Sequence, residues 1–319
     1  MNALGDGGTE IERAAEIGVR AIAQWDPATV RYAMAAAPVA SPTHRATAHA
    51  CVTVEAEGRR YFLSRLFDDM EGFVDDEAAA AAAVRGGELG VAPRVLARDA
   101  ATRTTVFEHL PDDWRCCRVD DLAATAVMEG ILAAKRALHR SPPLDHPRDP
   151  FAVVEDYARQ AREGGVTLPA DHDWLVHHVE LIRRAIGAAG RDAVPCHGDG
   201  VSSNGMLAPD GSIRLVDFDC AGDGDPYYDL ASVLVEAHQF DDGVRAGIEL
   251  FDGCCTESVF ARCRLYGIVD DLLWGTWGLL AAARSRRPEV EFHKYGEWRL
   301  LRCRHHLRDR RFEDWLRRV

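Results

Sequence analysis

No apolar run in this 319-residue sequence is long enough to span a membrane. The longest nearly uncharged stretch, Leu272 to Ala283, falls well short of the roughly 20 residues that a bilayer-crossing helix needs. Secretory character is missing as well. Met1 to Glu12 carries acids and glycines where a leader has a basic start and an apolar core, so a cytoplasmic protein is expected. None of the cysteines stands at the Cys-x-x-Cys spacing of a zinc site, and two pairs, Cys116-Cys117 and Cys254-Cys255, are direct neighbours. Reduced thiols fit this better than a disulfide framework. His177-His178 lacks a partner at helical ligand spacing, so no structural metal is indicated. Basic excess is absent too: a formal net charge of −13 argues against a nucleic-acid binder, whose affinity comes from Lys and Arg neutralising phosphates. Lysine itself is nearly missing, Lys135 and Lys294 being the only two among 38 basic residues. The arginine-rich end, Arg299 to Arg318, is interleaved with Trp298, Leu301, Phe312 and Trp315 and reads as a solvated helix face.

What is present is an ordinary globular composition, 47% apolar and 28% charged, in a chain long enough for two unequal lobes. Ala48 to Val54 and Arg60 to Leu66 read as strands of a hairpin turned at Glu55 to Gly58. The alanine-rich Glu77 to Val84 predicts a helix stopped at Gly86-Gly87, and Val91 to Leu96 and Thr104 to His109 predict further strands. Beyond Asp120 apolar residues recur three and four apart, over Leu122 to Arg140, Pro150 to Glu163 and His172 to Ala189. One island, Ala193 to Asp219, breaks that period with a short apolar run, a polar loop and a hairpin turned by Pro209-Asp210-Gly211. Helices are expected again over about Asp229 to Gln239, Glu257 to Ala283 and Lys294 to Arg317. The expected class is α+β, with a small antiparallel-sheet lobe carrying one helix over residues 1–110, an N-terminal helical segment before it, and a larger, mainly helical lobe over 111–319.

The island carries the chemistry. It reads Cys196-His197-Gly198-Asp199-Gly200-Val201-Ser202-Ser203-Asn204, followed by Val216-Asp217-Phe218-Asp219. Phosphoryl transfer needs an acceptor hydroxyl held in line and cations on the phosphates more than it needs covalent help. Asp199 has the right chemistry to accept a hydroxyl proton, and Asn204 and Asp217 offer hard oxygen ligands to magnesium. Read blandly, the same residues are turn formers and a helix cap; their joint spacing favours the catalytic reading.

The run from Pro195 to Leu230 resembles the catalytic core of the aminoglycoside phosphotransferase and choline/ethanolamine kinase superfamily, which shares the two-lobed protein-kinase fold. Glu77 with Gly90 to Val95 resembles the first-lobe helix and next strand, and Phe107-Glu108-His109-Leu110 resembles the hinge that carries the nucleotide. The resemblance implies Asp199 as catalytic base, Asn204 and Asp217 as magnesium ligands, and His197, Asp219 and Asp229 as supports of the loop. It implies ATP, or GTP, with Mg2+ as donor.

Two departures stand out. The family's strand lysine, which grips the α and β phosphates and pairs with a helix glutamate, has no counterpart, since residues 1–110 contain no lysine. In its place stand Ser64 and Arg65, which alternation sends to opposite sheet faces. One reading pairs Arg65 with Glu77 as the substitute grip; the other leaves Arg65 a surface arginine and the nucleotide less firmly held. The covering loop, Ala40 to Thr47, holds Ser41, Pro42, Thr43, His44 and Arg45 and no glycine.

For the acceptor, Asp270, Trp274 and Trp277 fall at i, i+4 and i+7, one carboxylate and two indoles on one helical face. That arrangement suits an ammonium group, although packed core aromatics give the same pattern. Leu273 to Trp277, with Phe292 to Arg299, is similar to the closing segment of choline kinases, which implies an amino-alcohol acceptor. The same catalytic residues serve an antibiotic O-phosphotransferase acting on an aminoglycoside, nucleoside or peptide drug. The missing lysine admits a third reading, a binding protein without turnover. The partners expected are a nucleoside triphosphate and a small hydroxylated substrate, with no nucleic acid and no membrane.

Overall fold

In a computed structural model of the chain, residues 1–42 and 44–319 are described. The first part is sheet-rich and comprises β1 (Asn2–Ala3), α1 (Glu10–Ala21), β2 (Arg31–Met34), β3 (Val39–Ser41), β4 (His44–Ala46), β5 (His49–Ala56), β6 (Arg59–Leu66), α2 (Asp76–Glu88), β7 (Val95–Asp99) and β8 (Thr104–Glu108). Six of these strands form one antiparallel sheet in the order β1-β2-β5-β6-β8-β7, while β3 and β4 pair as a separate small hairpin. Glu57 and Gly58 turn β5 into β6 with φ of 54° and 71°, the left-handed pair that a two-residue hairpin requires. Strand alternation sorts the faces. Ala50, Val52 and Val54 of β5 are buried with Leu63 of β6 beneath α1, whose Gly18 packs against Leu63 and Thr104. His49, Cys51 and, across the ladder, Ser64 therefore occupy the other face.

The second part is helical: β9 (Arg115–Cys116), α3 (Thr125–His139), α4 (Pro150–Glu163), α5 (His172–Ala189), β10 (Val194–Cys196), β11 (Gly205–Leu207), β12 (Ile213–Leu215), β13 (Gly222–Gly224), α6 (Pro226–Ala237), α7 (Asp241–Asp252), α8 (Glu257–Arg284), α9 (Phe292–Leu307) and α10 (Phe312–Arg318). Helix α8 is buried on all sides from Leu265 to Ala281, the central rod against which α4, α6, α9 and α10 pack. Its apolar stretch is a core helix, and among the described residues no helix is long and apolar enough to cross a membrane.

The structure departs from the sequence reading in several places. Helix α2 runs through Gly86 and Gly87 to Glu88, because both glycines are contact points: a Cβ on Gly86 would come within 2.7 Å of the Phe218 ring and one on Gly87 within 3.0 Å of the Arg94 backbone. The following strand begins at Val95 rather than Val91, since Val91 and Ala92 are spent closing the helix by bonding to the Gly86 carbonyl. Strands β1 and β2 and helix α7 were not expected, and the last helix is interrupted at Arg308–Arg311, where the Asp309 side chain takes up the Arg311 N–H. Arg299 is not on a solvated face; it is 1% exposed and pairs with Glu236, Asp270 and Asp271.

Candidate active site

Strand β10 ends at Cys196, and the chain turns at once through Gly198, at φ +76°, where any Cβ would collide with the Cys220 carbonyl. Asp199 comes next, 6% exposed, its Oδ1 accepting from the Val201 N–H at 3.0 Å. The loop is held from behind by Asp229 on α6. Its Oδ1 accepts from the Gly198 N–H at 2.8 Å and from Lys135 Nζ at 2.6 Å; its Oδ2 accepts from the His197 N–H at 3.1 Å and lies 2.9 Å from His139 Nε2. Burial alone would raise this carboxyl, but Lys135 and His139 outweigh it and hold it far below the ordinary range. Lys135 also donates to the Asp199 carbonyl at 2.9 Å, so one of the chain's two lysines is a buried strut of the loop.

His197 is fully buried, its ring nitrogens 3.0 Å from the Val216 carbonyl and 3.2 Å from the Asp199 carbonyl, its ring edge-on to Phe218. Burial and then Lys135 lower its pKa, so it is a neutral spacer between the two segments rather than a proton carrier. Across it, the Val216 N–H donates to the Asn204 carbonyl at 2.9 Å, bringing Asn204 beside the strand end that carries Asp217.

Asp217 sits at φ +64°, a left-handed conformation unusual for a residue with a side chain. Burial and then the neighbouring Asp219 push its carboxyl up to about 7. Its Oδ1 is buried with no hydrogen-bond partner, as is the Asn204 side-chain nitrogen. An unpartnered carboxylate oxygen beside a second crowded carboxylate is what a site for a divalent cation demands; the Asn204 nitrogen, a donor, adds nothing to it, and only its amide oxygen could serve as a ligand. Asp219 is engaged instead by His49, whose Nε2 lies 2.9 Å from Oδ2; burial works against the imidazolium, but Asp219 raises it to about 9. His49, Asp217 and Asp219 form one cluster with ligand atoms within 4.8 Å of one another.

A cleft opens between the lobes, lined by Asp199, Asp217 and Asp219 together with Met70, Phe73, Tyr157, Trp274 and Trp277. Arg45 reaches into it from β4. Its Nη2 pairs with Asp199 Oδ2, its Nη1 donates to the Tyr295 hydroxyl at 2.9 Å, and its guanidinium carbon stands 3.5 Å from the centre of the Trp274 ring. Burial would raise the Asp199 carboxyl; Arg45 holds it below the ordinary range, so the carboxylate is ionised.

Residues 48–266 match the Phosphotransferase enzyme family, which is most of the chain. The chain belongs to that family. Its fold is that of protein-kinase-like enzymes. A choline/ethanolamine kinase family protein from Mesorhizobium loti superposes with a TM-score of 0.73 at 24% identity, over 84% of this chain and 88% of that one. The ethanolamine kinase of Plasmodium vivax gives 0.71 at 15% identity over 98% and 93%, and an aminoglycoside-3'-phosphotransferase of type VIII gives 0.54 at 22% over 82% and 99%. At these identities the likeness is one of fold. No curated protein matches.

Within this phosphotransferase, the expected site residues divide. Asp199, Asp217, Trp274 and Trp277 meet in the cleft, and Asn204 lines the hollow directly behind Asp199. Asp219 faces the same cleft rather than bracing the loop from behind. Arg65 is misplaced: it shares the α1 side of the sheet with Leu63 and pairs with Asp68 at 3.0 Å, while Glu77 pairs with Arg98 at 2.9 Å. The Arg65–Glu77 pair is therefore absent, because alternation turns Arg65 away from the cleft and leaves Ser64 on the cleft side. Glu108 ends β8 with its carboxylate bound by the Arg94 N–H and Nε at 3.0 and 2.9 Å, and His109 follows it half-buried. Asp270 does not reach the cleft: the Tyr228 hydroxyl donates to it at 2.9 Å, Arg299 pairs with its other oxygen, and burial raises it to about 6. Thr43 of the covering loop lies outside the described residues. Arg45, His49, Lys135 and Arg148 were not singled out as site residues; of these, Lys135 alone had a signal, the scarcity of its residue type.

Proposed function

We propose that this phosphotransferase moves the terminal phosphoryl group of a magnesium-bound nucleoside triphosphate, ATP or GTP, onto a hydroxyl of a small molecule. The observation that carries this reading is the buried, unpartnered Asp217 Oδ1, clustered with Asp219 in the same cleft as the ionised Asp199. Bound there, magnesium would supply charge neutralisation for the phosphates. The chain's own work is to aim Asp199 at an acceptor hydroxyl and take its proton, with Lys135, Asp229 and Gly198 fixing the loop so that the carboxylate is already in place. Arg45 occupies the acceptor side of Asp199 and has to swing aside for a hydroxyl to reach Oδ2.

An amine-bearing acceptor of the choline or ethanolamine type is supported by the same arginine, because its guanidinium stacks on the Trp274 face, where an ammonium would meet the same ring. Asp270 takes no part in that site. Measuring ADP formation against magnesium concentration tests the metal assignment: Asp217→Asn is expected to raise the magnesium needed for half-maximal turnover by tenfold or more, on the order of one lost charged ligand. An unchanged magnesium requirement would remove Asp217 from that role.

A further inference from the structure

The lining of the cleft contains a second guanidinium, Arg148, which none of the catalytic arrangement uses. Its backbone is pinned to β13: the Arg148 N–H donates to the Asp223 carbonyl at 2.9 Å and the Asp223 N–H donates to the His146 carbonyl at 2.7 Å. The approach is close enough that a Cβ on Gly222 would come within 2.6 Å of the Arg148 Cβ. Asp149, the next residue, caps α4 by accepting from the Phe151 N–H at 3.1 Å, so both flanks of Arg148 are fixed. From this mount the side chain runs past Cys220, with Nη2 3.8 Å from Sγ, and shares the cleft lining with Tyr157.

Among the described residues no carboxylate comes within 4.0 Å of this guanidinium. The contrast with the other arginines inside the fold is sharp. Arg45 is paired with Asp199, Arg287 with Asp69 and Arg299 with Glu236, Asp270 and Asp271, whereas Arg148 faces the cleft with a thiol and a phenol for company. A half-buried guanidinium given no counter-ion is costly unless a ligand supplies the anion.

We infer that the acceptor carries an anionic group, a carboxylate or a phosphate, in addition to the hydroxyl that receives the phosphoryl, and that Arg148 binds this group. The inference rests on the phosphotransferase reading and names its substrate class. The planar fork of Arg148 suits either anion. Its place in the same cleft as Asp199 puts the anion and the reacting hydroxyl on one small molecule. An ammonium on that molecule remains compatible with the Trp274 face, so hydroxylated zwitterions belong to the class.

Acceptor pairs that differ by one anionic group test this: carnitine against choline, serine against ethanolamine, glycerate and glycerol 3-phosphate against glycerol. The last pair of anions separates carboxylate from phosphate. Binding is read by calorimetry on the full-length protein with a magnesium-bound, non-hydrolysable ATP analogue, and turnover by ADP release. In at least one pair the anionic member should bind roughly 10- to 100-fold tighter than its neutral or cationic counterpart. Arg148→Leu should erase that preference and Arg148→Lys should keep part of it, with melting curves showing that both variants fold. Equal binding within every pair, or a preference that survives in Arg148→Leu, would overturn the inference. Preference for the anionic members without any magnesium-dependent ADP release would keep the anion site and overturn phosphoryl transfer, so the two claims fail separately.

Discussion

Asp229 shows what a single buried side chain does for the loop: four donors on two oxygens tie α6, α3 and the His197-Gly198 backbone into one unit. Removing its charge strands Lys135 in the interior, and Asp229→Asn is expected to cost about 3–5 kcal/mol of stability at neutral pH, read by chemical denaturation. The linkage has a definite sign. The folded carboxyl is held far below its unfolded value of about 4, so its stabilisation is present above pH ~4 and drains away as pH falls below it; Asp229→Asn should flatten that acid limb. Arg65 makes the opposite point. Since it lies on the α1 side with Asp68, Arg65→Ala should lower the melting temperature slightly and leave nucleotide KM where it was; a large rise in nucleotide KM would contradict its placement. Residue by residue, Asp199, Asn204 and Asp217 were legible because all three belong to one local chain reversal with characteristic spacing. Arg45, His49 and Arg148 were not, because Arg45 and Arg148 reach the cleft, and His49 reaches Asp219, from segments distant in sequence, and nothing local marks an arginine or histidine for such a contact.

At the scale of elements, periodicity located the helices α4 and α5 with their observed ends and the hairpin of β5 and β6, where apolar pattern and turn chemistry agree. It failed where packing overrides propensity. Gly86 and Gly87 look like a helix stop, yet they are the two positions where α2 can touch Phe218 and the Arg94 backbone. The i, i+4, i+7 pattern on α8 had a similar fate. It placed the two tryptophans on the cleft side, but Asp270, a turn earlier, meets α9 and is consumed by Arg299. Gly200 gives a direct test of how tightly the catalytic loop seats on α6: a methyl group there would run into the Ser232 and Val233 backbone. Gly200→Ala is expected to destabilise by roughly 1–3 kcal/mol or more and to depress turnover along with it. A variant as stable and active as the parent would show that the loop seats less closely.

Across the whole molecule, the two lobes are tied by charged side chains as well as by apolar packing. Arg287, following α8, grips Asp69 with Nε and Nη2 at 2.9 Å each and donates to the Thr47 carbonyl at 2.7 Å; His49 bonds Asp219; Arg45 pairs with Asp199. These contacts hold the β3–β4 hairpin over the cleft. Arg287→Ala should therefore speed amide exchange in residues 44–49 while leaving the α8 core protected; unchanged exchange there would mean that the hairpin is held by other contacts. The two-lobed architecture was readable from the switch between strand and helix periods, but these ties were not, because they are contacts between lobes.

All of this turns on Asp199 acting upon an acceptor in a magnesium-loaded cleft. The direct measurement is magnesium-dependent ADP formation over the panel of hydroxylated acceptors, comparing the parent with Asp199→Asn. Acceptor-stimulated turnover is expected in the parent and a loss of roughly 10²- to 10⁴-fold in the variant, with the fold retained. Turnover that Asp199→Asn leaves undiminished, or a parent that consumes no triphosphate with any acceptor, would contradict it.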